Sequence, residues 1–218
     1  MFDQIARRYD LANHLLSGGV DYCWRRRAAE IVSSWAPSLV LDLATGSGDL
    51  ALAIRRKLPD AEITAADFSP EMLAIARSKG VTQTVVADAL QLPFRDGAFH
   101  CVTVAFGLRN MADWGVALRE MSRVLTSSGK LLVLDFSTPG RFLHPVYHIY
   151  LRHLLPRLAG AITGHKDAYD YLNTSIEAFP SGEAMTQLIR ENGFVSSTAI
   201  PLTGGIATIY TAAKSEGE

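Results

Sequence analysis

Cysteine is scarce in this chain, neither charge sign is in excess, and no apolar run approaches the length of a membrane span. Only Cys23 and Cys101 occur in 218 residues. They lie far apart and in no CxxC or CxxH spacing, which argues against a disulfide framework or a thiolate zinc site and fits a reducing, cytosolic compartment. With 21 basic against 22 acidic residues the net charge is −1, so no global field gathers nucleic acid. No apolar stretch reaches the roughly 20 residues that cross a bilayer. The opening "MFDQIARRYDL" lacks the apolar centre of a signal peptide. Carboxylates are missing altogether between Phe136 and Lys166. His144, His148 and His153 fall in that stretch, but Pro145 separates the first two and no acid supports them, so no metal site is expected.

What is present is the material of a large core. The chain is 48% hydrophobic and 20% charged, as in a soluble globular protein of one large domain. Residues 2–16 and 21–35 carry apolar residues at helical spacing. From Leu39 the rhythm changes to short apolar runs alternating with helical ones. "LVLDL", "AEITAAD", "VTQTVVAD", "FHCVTVAFG" and "KLLVLDFS" read as strands. "DLALAIRRKL", "SPEMLAIARSKG" and "DWGVALREMSRVL" read as helices, the second with Ser69 at its N-cap, Pro70 at its first position and Gly80 just past its end. That alternation predicts an α/β fold with a parallel sheet covered on both faces. Residues 139–179 interrupt it. Residues 181–192 then read as a helix, and "FVSSTAIPL" with "IATIYTAAK" as a closing antiparallel pair.

The first strand runs into "LDLATGSGDLA", where Gly46, Gly48 and Ala51 have the spacing of a nucleotide-binding strand–turn–helix. Asp67 closes the next strand, where an acceptor for ribose hydroxyls belongs. Dinucleotides and S-adenosylmethionine both fit this outline. Asp49, in the first turn of the helix, and Asp42, at the strand end, place negative charge where a pyrophosphate would lie. A sulfonium and an ammonium would be favoured there instead, so the charges favour a methyl donor, although Asp49 also suits a helix N-terminus by itself. Asp88 ends the third strand, the third acid along one rim.

Several segments together are similar to the menaquinone/ubiquinone biosynthesis C-methyltransferase family: "FDQIARRYDLANHLLSGG", "LDLATGSGDL", "DFSPEML", "LPFRDGAF", "VTVAFGLRN", "EMSRVL", "YLNTSIEAFP" and "LTGGIATIY". The similarity covers essentially the whole chain. "AFGLRN" and the "FDxIAxRYD" pattern are its most specific parts. It implies a Rossmann-like class I methyltransferase, a mostly parallel seven-stranded sheet with the last strand antiparallel, N-terminal helices and a helical lid insertion. On this reading residues 1–218 form one domain: a helical cap (1–36), a donor-binding core (37–138), a substrate lid (139–180) and a closing helix with strands (181–218). The implied donor is S-adenosyl-L-methionine and the implied acceptor a polyprenylated quinol. By position, Ser47 contacts the donor, Asp67 takes the ribose hydroxyls, and Asp88 and Ala89 hold the adenine. Ala105 stands where some relatives carry a hydroxyl, His100 where Asp is usual and Asp135 where Glu is common.

Methylating a quinol ring carbon is a displacement at the sulfonium methyl, and it is helped when the neighbouring hydroxyl, of pKa about 10, loses its proton. "HCVTVAFGLRN" aims a permanent cation, Arg109, at the carboxyl end of a buried strand, and the expectation is that it steadies the phenolate. The alternative is that Arg109 pairs with a structural carboxylate such as Asp113 or Glu120. Asn110 is expected to orient Arg109 or the ring, and Tyr9 to position the substrate. In the acid-free segment, Arg141, Arg152, Arg157 and Lys166 interleave with aromatic and aliphatic residues. That mixture suits an anionic membrane surface, a mouth for an isoprenoid tail, or a helical lid packed on the sheet. The expected location is the cytoplasm, with the inner face of the membrane as a working surface, and a homodimer is compatible with the sequence. Naphthoquinol and benzoquinol acceptors are not separable from the residues alone. A non-catalytic donor- or quinone-binding protein on the same fold is the alternative of another class.

Overall fold

A computed structural model of the chain describes residues 19–137, 175 and 178–214. Helix α1 (Asp21–Ser34) leads into strand β1 (Leu39–Leu43), followed by α2 (Asp49–Lys57), β2 (Glu62–Asp67), α3 (Pro70–Ser78), β3 (Gln83–Val86) and β4 (Phe99–Ala105). A short 3-10 turn at Leu108–Asn110 precedes α4 (Trp114–Val124) and the long β5 (Leu125–Phe136); α5 (Glu183–Glu191), β6 (Phe194–Leu202) and β7 (Ala207–Lys214) follow. Capping follows the sequence. Ser69 Oγ accepts from the Met72 N–H at the start of α3, and Asp113 Oδ1 accepts from the Val116 N–H at the start of α4, each satisfying an orphan donor of the first turn.

The strands form one seven-stranded sheet in the order β3-β2-β1-β4-β5-β7-β6. β1 pairs in parallel with both β2 and β4, β4 pairs in parallel with β5, and β7 runs antiparallel to β5 and β6. The expected mixed sheet with an antiparallel last strand is therefore present, and the expected pair at residues 194–214 supplies it. The chain reverses its direction of travel across the sheet between β1 and β4. At such a switch point the connections diverge and leave a crevice outside the strand ends.

Alternation along the strands sorts side chains to two faces. Val40, Cys101, Leu132 and Leu134 meet Trp24, Ala28 and Val32 of α1 and Leu50 and Ile54 of α2. Leu41, Leu43, Val102, Val104 and Val133 meet Leu118 and Met121 of α4 and Met185 and Ile189 of α5. Both faces are buried, so the central strands are apolar on both sides. Asp42 and Thr103, paired in register across β1 and β4, share the α1–α2 face with Val40 and Cys101. A carboxylate is thereby placed inside the core layer. Among the described residues no helix is long and apolar enough to cross a membrane. The expected helix at 2–16, the three histidines and most of segment 139–180 lie outside the described residues.

Candidate active site

A cleft of about 410 Å³ opens at the carboxyl ends of the strands on the switch point. Its wall takes Leu43, Ala44, Thr45 and Gly46 from the end of β1, Asp67 and Phe68 from β2, Ala87 to Leu90 from the segment after β3, and Ala105 to Gly107 from β4. Arg25 of α1, together with Asn110, Met111 and Ala112, completes the side nearest β4. Of the residues proposed from sequence, Gly46, Asp67, Asp88, Ala89, Ala105 and Asn110 meet here.

The two rim carboxylates are fixed by backbone donors. Asp67 Oδ2 accepts from the Gly46 N–H at 2.8 Å and Oδ1 from the Ser69 N–H at 2.9 Å, tying the glycine turn to the start of α3. Asp88 Oδ1 accepts from the Leu90 N–H at 2.9 Å, an Asx turn. The loop carrying Asp88 and Ala89 is pinned from α4. The Leu92 N–H donates to Glu120, and Arg123 donates to the carbonyls of Leu92 and Phe94. The Arg123 guanidinium in turn holds the Glu120 carboxyl below its ordinary range.

Asp42 is 1% exposed and does not reach the cleft. Its oxygens accept from Thr103 Oγ1 at 2.7 Å and Thr45 Oγ1 at 2.5 Å. Burial nevertheless outweighs these bonds and pushes the carboxyl from 3.8 to about 6. Between those values the folded protein retains a proton that the unfolded chain has released. The stability this contributes is complete below about pH 4 and is lost as the pH rises through about 6. Asp42→Asn is expected to remove that dependence, a difference of ~3 kcal/mol between acid and neutral pH in urea unfolding.

Three residues expected at the donor from the glycine turn have other partners within the fold. Asp49 does not face the cleft: its Oδ1 is paired with Lys79 Nζ at 2.8 Å, because α2 begins beside the end of α3. Ser47 is buried and turned to the same side, accepting from Lys79 Nζ at 2.8 Å and donating to Asp49 at 3.2 Å. Gly48 serves packing. It has φ +84°, and a Cβ there would lie 2.7 Å from Val81 Cγ2 and 3.1 Å from the Ala76 Cβ. Strain and overpacking together should make Gly48→Ala less stable by about 2–5 kcal/mol, measured by chemical denaturation. The negative charge that argued for a cationic donor therefore rests on Asp67 and Asp88, since Lys79 neutralises Asp49 and burial encloses Asp42.

In "AFGLRN", Arg109 is paired with a buried carboxylate. Its side chain is fully buried, and Nη1 donates to Asp135 Oδ1 at 2.6 Å and to the Phe106 carbonyl at 2.8 Å. The guanidinium lies 5.2 Å from the Phe136 ring centroid, and Arg109 is not among the described residues lining the cleft. The carboxylates weighed from sequence are engaged elsewhere, Asp113 as the cap of α4 and Glu120 in the Leu92 loop. Register explains the actual partner. Ala105 pairs with Leu134 across β4 and β5, so Asp135 arrives beside the turn that follows β4. Phe106 has φ +59°, a conformation that costs a side-chain residue roughly 1–3 kcal/mol. It is held there by its N–H donating to the Leu134 carbonyl, and by Arg109 and Asn110 Nδ2 donating to its own carbonyl. Gly107 follows because a Cβ would sit 2.5 Å from that of Ala44.

Phe68 and Arg25 are among the cleft residues that sequence reasoning missed. Phe68, 71% exposed, is a large ring on the rim directly after Asp67, and the signal was an aromatic following a strand-end acid. Arg25 comes from α1, which precedes even β1 in the chain, and no local pattern marks it. Tyr9 lies outside the described residues. A separate hollow of about 610 Å³ beside α4 and α5, lined by Asp113, Arg119, Glu191 and Asn192, holds none of the proposed site residues.

The ubiE/COQ5 methyltransferase family matches residues 1–214. A demethylmenaquinone methyltransferase of Thermus thermophilus is 49% identical, covering 96% of this chain and 98% of that protein. A ubiquinone/menaquinone biosynthesis C-methyltransferase of Citrifermentans bemidjiense is 41% identical over 98% and 94% of the two chains. In fold, the chain resembles an S-adenosylmethionine-dependent methyltransferase of Aquifex aeolicus, with a TM-score of 0.60 at 16% identity over 85% of this chain and 89% of that one. A switch-point cleft edged by strand-end carboxylates, joined to similarity along nearly the full length, makes this chain a member of the ubiE/COQ5 methyltransferase family.

Proposed function

We propose that the protein transfers a methyl group from S-adenosylmethionine to a ring carbon of a polyprenylated quinol, with a demethylmenaquinol as acceptor. The observation that carries this reading is the cleft itself, with Asp67 and Asp88 on its rim and apolar walls between them, in a chain of this family. The residues present fit the donor. The volume lies within the range of small-ligand sites, and the immobilised Asp67 offers a carboxylate to a vicinal diol. Asp88 and Ala89 take the edge of the adenine, and Phe68 and Leu90 its faces. Gly46 and Ala105 leave room for the aminoacyl tail.

When bound, the donor supplies a methyl group on positively charged sulfur. The chain's own residues hold the acceptor in line with it. Once the quinol hydroxyl had given its proton to a base, the adjacent ring carbon would take the methyl as the C–S bond broke and S-adenosylhomocysteine left, and return of the ring proton to the oxygen would restore the hydroxyl. Asn110, which lines the cleft, orients the ring oxygen. Arg109 acts through Asp135 and the Phe106 carbonyl, fixing the wall against which the ring lies. Tyr9 supplies a positioning hydroxyl. A prenylated acceptor is met at a bilayer, and the basic, aromatic segment 139–180 is the surface proposed for it. Co-sedimentation with anionic liposomes is expected to fall as salt rises; no binding at low salt removes this element.

The test is incubation with labelled donor and a panel of reduced naphthoquinols and benzoquinols, with and without prenyl tails. Label in a prenylated demethylnaphthoquinol is expected. Transfer to methoxylated benzoquinols alone would move the protein to ubiquinone chemistry, transfer only to tail-less rings would exclude the prenylated acceptor, and donor binding without any transfer would make it a carrier.

A further inference from the structure

Among the described residues, one cation lines the cleft, Arg25 of α1. We infer that Arg25 is the anchor for the α-carboxylate of the donor, an assignment that rests on the donor reading above. The charges along the cleft are arranged by strand order. Asp88 follows β3, Asp67 ends β2, the glycine turn leaves β1, and Arg25 lies against the Phe106 ring beyond β4. Three strand spacings, about 14 Å, thus separate the acidic end from the cationic end. A ligand with a nucleoside at one end and an amino acid at the other matches that polarity in only one orientation. Its diol and base lie with the acids, and its carboxylate lies with the guanidinium.

Arg25 is built for this task. It is 7% exposed; its Nη1 donates to Asp21, one helical turn earlier and fully buried. Its guanidinium carbon lies 4.9 Å from the Phe106 centroid. The carboxylate on one side and the ring on the other fix the plane of the guanidinium, so little rotamer freedom remains to be lost on binding. This also gives the left-handed turn at Phe106 a purpose, since it presents the ring that seats Arg25. A guanidinium so oriented can meet a carboxylate with paired N–H donors.

The test compares S-adenosylmethionine with its decarboxylated analogue, which keeps the sulfonium, ribose and base, by isothermal titration. Wild-type protein is expected to prefer the intact donor by about 10- to 100-fold, the range of hydrogen bonds to a charged group. Arg25→Met should bring the two affinities to within about threefold of each other. Arg25→Lys, which keeps the charge without the fork, should fall between and decides the matter if the methionine variant does not fold. Wild-type discrimination retained in either variant overturns the assignment. So does equal binding of both compounds by the wild type, which leaves the donor reading intact. Binding of neither compound by the wild type defeats the donor reading and this assignment with it.

Discussion

Arg109→Ala is expected to lower the thermal midpoint by roughly 6–20 °C. Removing one partner of a buried ion pair costs about 3–5 kcal/mol, and in a chain of this size each kcal/mol moves the midpoint by about 2–4 °C. Asp135, left without its cation, is fully buried, and burial already pushes its carboxyl upward against the pull of Arg109. The loss would also leave the Phe106 carbonyl with Asn110 Nδ2 in place of the two side-chain donors it has now, loosening the strained turn that forms the cleft wall. The double change Arg109→Met with Asp135→Leu should recover much of the lost stability, because an apolar pair leaves no charge uncompensated. Circular dichroism melting curves of the three variants provide the measurement. A single variant that melts within two or three degrees (roughly one kcal/mol) of wild type but no longer transfers methyl groups would return Arg109 to the acceptor's oxygen.

Asp67→Ala should weaken donor binding by at least about 100-fold. Hydrogen bonds from hydroxyls to a carboxylate are worth about 1.5–3 kcal/mol each, and a diol forms two, which together exceed the ~2.7 kcal/mol of a hundredfold change. The same carboxylate holds the Gly46 and Ser69 N–H groups, so its removal also loosens the turn beneath the donor. Asp67→Asn retains a neutral acceptor and should lose less. Titration calorimetry with S-adenosylmethionine reads both. An alanine variant that binds within threefold of wild type would contradict the ribose assignment.

The strand and helix order was legible because its signals are local. Ser69-Pro70 starts a helix by satisfying or forgoing an orphan N–H, and a short apolar run closed by an acid or glycine ends a strand. The positions of Asp67 and Asp88 on the rim follow from the same logic, since a residue at the carboxyl end of a parallel strand must lie at the mouth of the crevice. Phe68 carried a faint signal as an aromatic next to such an acid. Arg25 carried none, because on α1 it is simply one of three consecutive arginines, of which only this one turns inward.

The sequence by itself determined the order of elements, the glycine turn and the two acids at the cleft, because each depends on the residue and its near neighbours. Which charges remain at the site was decided only in three dimensions. Lys79 claims Asp49 across the packing of two helices, the face of β1 encloses Asp42, and the register of β4 on β5 delivers Asp135 to Arg109 from 26 residues away. A charge has no side of its own in the sequence. Strand alternation and helix packing assign it one, and Coulomb attraction in a low-dielectric interior then selects the partner that arrives nearest.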